Sequence, residues 1–320
     1  MEFIRINDIE DNIIMMNDIC NIKSLKLFAS YYQEYYKEKF VDLTFIVIEN
    51  NKVLACVLCC ILDNNITLPD GGVVIKLFDR NINNKEKKKI YIAILANLKI
   101  LSDNHKCSLI IKDFLFNGLL SILGEQLFNS KFHSRLTFEM DFDYLDFNQD
   151  EFYADLRKSY KSLINWGRKN LTVININKDN ACIDKFREFQ DFHYKISGRK
   201  TRSDESWNKQ YEIIKAGLGE LILADYNTNL AAGSFFADYS DTSIYFTGVY
   251  DRNLFDFGIS HFMLYEGINR SYKRGNTSRF SLGYFDTDIK DPKWYNIQFF
   301  KKGFCRELKP TIFWSNETNK

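Results

Sequence analysis

The sequence predicts an α/β protein with mixed sheets, built as two halves of like architecture. Three observations predict it. Each half runs through the same order of strand hairpin, helix and strand, and 320 residues leave room for two cores. Aromatic residues make up 16% of the chain, with 28 Phe and 18 Tyr, so both cores should be rich in rings.

In the first half, residues 43–49 (LTFIVIE) run into Asn50 and Asn51 and return as residues 53–62 (VLACVLCCIL). Apolar runs rich in Ile and Val, bounded by Asn-containing turns, read as hairpins. Residues 85–101 then read as a helix and residues 108–114 (SLIIKDF) as a strand. The acidic stretch 141–152 marks the passage between the halves, which sets the domains at 1–150 and 151–320. Residues 155–170 (DLRKSYKSLINWGRKN) open the second half as a helix, because Leu156, Tyr160, Leu163 and Ile164 recur near helical spacing. The second hairpin joins 220–225 (ELILAD) to 230–239 (LAAGSFFADY) through Asn227, Thr228 and Asn229. Helix 258–275 carries Phe262, Tyr265, Ile268 and Tyr272 on one face, with Gly275 to cap it, and residues 279–285 (RFSLGYF) follow as a strand. The residues of the two halves barely match, so the duplication is one of architecture. Such an order predicts a mixed sheet with helices packed on it, in two domains lying side by side.

Charge and cysteine usage narrow the class. With 43 Lys+Arg against 42 Asp+Glu, the chain lacks the basic excess of a broad polyanion-binding face, so nucleic acid is not the expected partner. No run approaches the roughly 18 apolar residues needed to cross a bilayer. The N-terminal MEFIRINDIEDNIIMM mixes acidic with apolar residues and lacks the pattern of a signal peptide, so the expected location is the cytoplasm. An odd seven Cys without an export signal argues against a disulfide framework. Cys56, Cys59 and Cys60 read as buried strand residues, and His105, His133, His193 and His261 are too scattered to complete a zinc site, so no metal is expected.

Several segments in order carry a resemblance over about residues 150–310: SLINWGRKNLTV (162–173), SGRKTRSDESW (197–207), YFTGVYDRNLFDFGIS (245–260), RFSLGYF, and IQFFKKGF (297–304). Together they resemble the GNAT acyltransferase fold, and the duplication resembles its FemABX-like branch, in which two GNAT domains are fused. The resemblance implies tandem GNAT-like domains with catalysis in the second half. It also implies acyl-CoA as co-substrate, its pantetheine arm pairing with a strand and its pyrophosphate resting on the next helix head. That head is Gly258, Ile259 and Ser260, preceded by Arg252, with one Gly where the usual pattern has two and with Asp256 intruding. Backbone N–H groups near Val249 and Tyr250 are the expected oxyanion donors. Phe300 stands where many GNAT enzymes carry the Tyr that protonates the leaving thiolate, so either Tyr284 or Tyr295 serves as acid or the thiolate leaves without one, and Lys301 matches the lysine implicated near the acyl group.

The acceptor side is read from the residues. His193 beside the 197–207 loop is the first choice for general base, because an imidazole takes an amine proton near neutral pH. His261, Asp238 and Glu266 are further candidates. Arg199, Lys200 and Arg202 form a basic knot that suits a diphosphate, Trp207 offers a ring for stacking, and Asp238 adds a polar contact. The resemblance to sugar N-acyltransferases with two GNAT domains implies an acyl-CoA-dependent N-acyltransferase acting on a nucleotide-linked amino sugar, as in bacterial surface-polysaccharide synthesis, and the basic loop is compatible with it. The alternatives are aminoacyl transfer from a charged tRNA to a cell-wall precursor, and a non-catalytic binding module.

Overall fold

The computed structural model describes residues 1–9, 22–69, 71–79, 81–145, 147–305 and 307–316. The N-terminal segment read above therefore lies outside the described residues from residue 10 onward. The first half contains β1 (Glu2–Arg5), α1 (Ile22–Tyr36), β2 (Phe40–Asp42), β3 (Phe45–Glu49), β4 (Lys52–Leu58), β5 (Cys60–Leu62) and β6 (Asn65–Thr67). It continues with β7 (Val74–Leu77), α2 (Asn84–His105), β8 (Ser108–Phe114), α3 (Ile122–Asn129) and β9 (His133–Asp143). The second half opens with α4 (Gln149–Asp155), α5 (Lys158–Asn170), β10 (Thr172–Ile176), α6 (Ile183–Ser197) and α7 (Asp204–Lys215). Then come β11 (Gly219–Tyr226), β12 (Asn229–Tyr239), β13 (Thr242–Tyr250), α8 (Ile259–Arg274), β14 (Arg279–Phe285), α9 (Pro292–Lys302) and β15 (Lys309–Ser315).

Local chemistry explains the ends of these elements. Asn83 caps α2 by accepting from Glu86 N, and Ser203 caps α7 by accepting from Ser206 N. Asp291 accepts from Lys293 N and Trp294 N, with Pro292 in the first turn of α9. Gly198 and Gly275 end α6 and α8 in the left-handed conformation.

One expectation needs correction. The apolar run 53–62 is two strands, because its middle residue turns away to pair elsewhere. Leu43 N donates to Cys59 O at 2.9 Å, and Cys59 N donates to Thr44 Oγ1 at 3.4 Å, so β4 and β5 join different sheets. Cys56, Cys59 and Cys60 are buried there. Within the acidic passage 141–152, β9 ends at Asp143 and Asn148 caps α4.

A four-stranded sheet runs β1-β3-β4-β7, and an eleven-stranded sheet runs β10-β11-β12-β13-β14-β9-β15-β8-β6-β5-β2. The second half's last strand, β15, lies between β8 and β9, and β9 in turn pairs with β14. The halves thus share one sheet. Helix α1 adds a second tie, since Phe28 is fully buried among Phe186, Phe189 and Trp207 of the second half. Behind the sheet, α5 and α8 enclose Tyr160, Ile164, Phe236, Phe262 and Ile268. No helix among the described residues is long and apolar enough to cross a membrane.

Candidate functional site

The site follows from the way β13 meets β14. These strands are parallel, but their pairing is confined to Thr242–Arg279, Ser243–Phe280 and Ile244–Ser281. Beyond Ile244 the strands diverge, although β13 continues to Tyr250 and β14 to Phe285. Their facing edges are thereby free for something other than each other.

Lys301, Tyr245 and Tyr250 stand at the opening. Lys301 of α9 donates its ammonium to Leu282 O at 3.0 Å, on the diverging part of β14, and lies 5.6 Å from the centre of the Tyr245 ring. Burial pulls the Lys301 ammonium below the usual lysine range, opposed by the nearby Cys305 thiol. Tyr245 OH is 2.6 Å from Tyr250 OH, which is 2.9 Å from Ser234 Oγ. Burial raises both phenols above their ordinary value, so they remain protonated and able to donate. Phe255 closes the outer end, edge-on to Tyr250 at 6.4 Å.

Tyr245 and Tyr250 share a face because of a bulge. Phe236 opposes Tyr245 while Phe235 opposes Thr247, so Phe246 is an extra residue and the alternation flips. Five residues apart in a regular strand, the two rings would point to opposite faces. Gly248 completes the arrangement: a Cβ there would sit 1.7 Å from Tyr245 OH, so only a hydrogen lets that ring lie along the strand.

The head of α8 follows the outer end of β13. Gly258 takes φ +79 and its missing side chain admits Leu163 of α5, since a Cβ would meet Leu163 Cβ at 2.4 Å. Ile259 is fully buried, Ser260 is half-buried, and Gly258 makes no side-chain cap. Arg252 is exposed and donates to Ile196 O at 3.2 Å, tying the loop to the end of α6.

The expected acceptor residues gather on the other side of β13. Trp207 is fully enclosed in the core, so its ring has no face for a substrate. Arg202 lies 4.5 Å over that ring and donates to Thr247 Oγ1 at 3.0 Å and Tyr31 OH at 3.3 Å, which engages it between the halves. His193 is buried against Trp207 and Phe189, with Thr201 Oγ1 3.4 Å from Nδ1. Burial, and then the Arg202 charge, pull it down to about 4, which makes it a weak base near neutrality. Asp238 accepts from both Arg274 nitrogens at 2.6 Å, from Ser243 at 2.7 Å and from Asn276 at 2.9 Å, so it closes the narrow end of the splay as a structural carboxylate. Arg199 is exposed, and Lys200 pairs with Asp204. Tyr284 turns toward the first half, against Phe313 at 5.3 Å and the Lys112 ammonium at 5.2 Å. Val249 is buried in the core under α1 and α6, opposite in direction to Tyr250.

The structure therefore brings together Lys301 and Tyr250 from the sequence reading, and adds Tyr245 and Ser234, which that reading missed. His261 stands nearby in a cage of Tyr160, Phe300 and Phe304, and burial pulls it to about 4.

No family model and no curated protein matches the chain. Solved structures do. FemX is 14% identical with a TM-score of 0.67, covering 98% of this chain and 97% of that one. The C-terminal domain of a putative lysylphosphatidylglycerol synthetase from Agrobacterium fabrum is 8% identical with a TM-score of 0.58, covering 92% of each. A tandem GNAT protein from the clavulanic acid pathway is 12% identical with a TM-score of 0.53, covering 100% of this chain and 99% of that one. At such identities the likeness shows the fold, a tandem GNAT-like fold over the full described length.

Proposed function

We propose that this protein is an amide-forming acyltransferase whose donor lies in the splay between β13 and β14. The observation that carries the reading is Lys301, whose ammonium spends one N–H on Leu282 O and keeps others for an acyl carbonyl. As an amine attacks that carbonyl, charge gathers on its oxygen, and a fixed cation in a site shielded from water stabilises it. The amine loses its proton, the bond to the leaving group breaks, and that group takes a proton.

The hydroxyl string favours an oxygen ester as donor. Burial makes these phenols weaker acids, which an alkoxide, as the stronger base, can still deprotonate more easily than a thiolate whose thiol lies near 8.5. The first reading is therefore aminoacyl transfer of the FemABX kind, although the near-zero net charge offers no broad basic face to a tRNA donor. The second reading is an acyl-CoA donor with a nucleotide-linked amino sugar as acceptor. It is supported by the free edge of β13 and by the α8 head, while Arg202 is already engaged and Trp207 enclosed.

A thermal-shift and transfer panel decides between them. Acetyl-CoA, longer acyl-CoAs and free CoA are compared with aminoacyl-tRNA and short aminoacyl esters. A ligand present at 100 times its Kd adds about 2.7 kcal/mol of stability, which is easily seen. Stabilisation and amide formation with esters alone support the first reading, and a response to CoA compounds alone supports the second. A folded protein that neither binds nor turns over any of them would sink the acyltransfer reading.

A further inference from the structure

A second opening in the large sheet lies one strand beyond the splay. β15 begins at Lys309, opposite Glu139, so residues 140–143 of β9 run on with no β15 partner. The gap holds a cavity of about 270 Å³. Among the described residues, Phe142, Phe147, Phe152 and Phe304 line it with rings, and Asp141, Asp143 and Glu307 line it with carboxylates, against the one ammonium of Lys309. Its lining is thus aromatic and net negative. Asp143 and Glu307 are exposed, so the cavity is open to solvent where they stand.

Asp141 is the distinctive group. Its side chain is 1% exposed and its Oδ2 lies 3.5 Å from Arg279. Its Oδ1 lies 3.2 Å from the Lys309 ammonium as an ion pair. This buried carboxylate, with cations on one side, lines a cavity walled by aromatic faces and edged by two more carboxylates. Rings and a carboxylate together recognise an organic cation.

We propose that this cavity binds a primary alkylammonium, its N–H groups donating to Asp141 Oδ1 and its carbon chain resting on the phenylalanine rings. The site is close to the splay: Phe304 follows Lys301 by less than a helical turn, and Asp141 and Lys301 both act on the Cys305 thiol between them. A site that stabilises an ammonium does not hold the attacking amine, which must be neutral to react. The group bound here is a spectator, either the α-ammonium of an aminoacyl donor or a second amine on the acceptor. Its place in the reaction rests on the proposed acyl transfer, but its binding does not.

The test is an NMR-observed titration of the full-length protein with n-butylammonium chloride, n-butanol and sodium butyrate. Butylammonium should bind about tenfold or more tightly than butanol, and Asp141→Asn should remove that advantage while leaving butanol unchanged. Equal affinity for butylammonium and butanol overturns the proposal, as does a folded Asp141→Asn protein with unchanged butylammonium binding. Should Asp141→Asn fail to fold, the exposed pair Asp143→Asn with Glu307→Gln carries the test. That double variant should bind butylammonium about threefold more weakly at low salt and like the wild type at high salt, and no weakening overturns the proposal. With a transferring wild type, loss of kcat/KM in Asp141→Asn for aminoacyl esters but not acetyl esters assigns the ammonium to the donor, and loss for both assigns it to the acceptor. Butylammonium binding in a protein that transfers nothing would retire the acyltransfer reading and leave the site standing.

Discussion

Lys301 is an ammonium held in a place where water is scarce, and that is a condition under which a single charge matters to a reaction. Lys301→Met should lower kcat about 100- to 1000-fold with the donor Kd changed far less, as removal of an oxyanion donor does. Tyr250→Phe should lower kcat on oxygen esters about 100-fold and on thioesters much less, which a leaving-group series would read directly. A uniform loss across the series would make Tyr250 a packing residue. His193 and His261 belong to stability more than to chemistry. Both have folded values near 4 against 6.5 in the unfolded chain, so between those values the unfolded state holds more protons. Stability should therefore fall as pH drops from about 6.5 to about 4, by an amount kept modest by partial solvent screening. His261→Phe, which suits the ring cage, should flatten the acid side of a Tm-against-pH curve, and an unchanged slope would assign the loss to other groups.

Among elements, the contact of α5 with α8 sets the wall of the splay. Gly167 makes that approach possible, because a Cβ there would lie 2.4 Å from Phe262 Cβ. Gly167→Ala should cost about 1–3 kcal/mol, read as a lower denaturant midpoint with an unchanged slope. Wild-type stability would mean that α8 can slide outward at little cost. The order of elements was largely legible in advance, and strands 108–114 and 279–285 fall where their alternation puts them. One boundary was not. The break at Cys59 is decided by Leu43 and Thr44, which lie across the hairpin, and a continuous apolar run carries no mark of it. Within the acidic run 141–152, Asp141 is buried beside Lys309 and Arg279, partners that only the fold supplies.

At the scale of the whole molecule, strand exchange makes the halves interdependent. Trp314 and Ile312 of β15 pack in the first half's core, and β15 also fills the space between β8 and β9. Deleting residues 309–320 should abolish cooperative melting of both halves, seen as lost near-ultraviolet dichroism in the first half's aromatic signals and in the second's. A truncated protein in which the second half melts as before would show that the shared sheet is a convenience rather than a requirement. The same interlocking explains why Arg202 and Trp207 support the seam with Tyr31 of α1 in place of forming a diphosphate site.

By itself the sequence determined the periodic features: the α/β class, the duplicated order of strands and helices, and the ring-rich cores. Those depend on neighbours a few residues apart, which a chain displays openly. Tertiary structure decided which side chains share a site. A single bulge at Phe246 turned Tyr245 and Tyr250 to one face, and the pairing limit at Ile244 opened the splay. Burial by distant segments then took Trp207, Asp238 and His193 into the framework. Register, burial and the charge around a group depend on partners far away in the chain, so no local pattern encodes them.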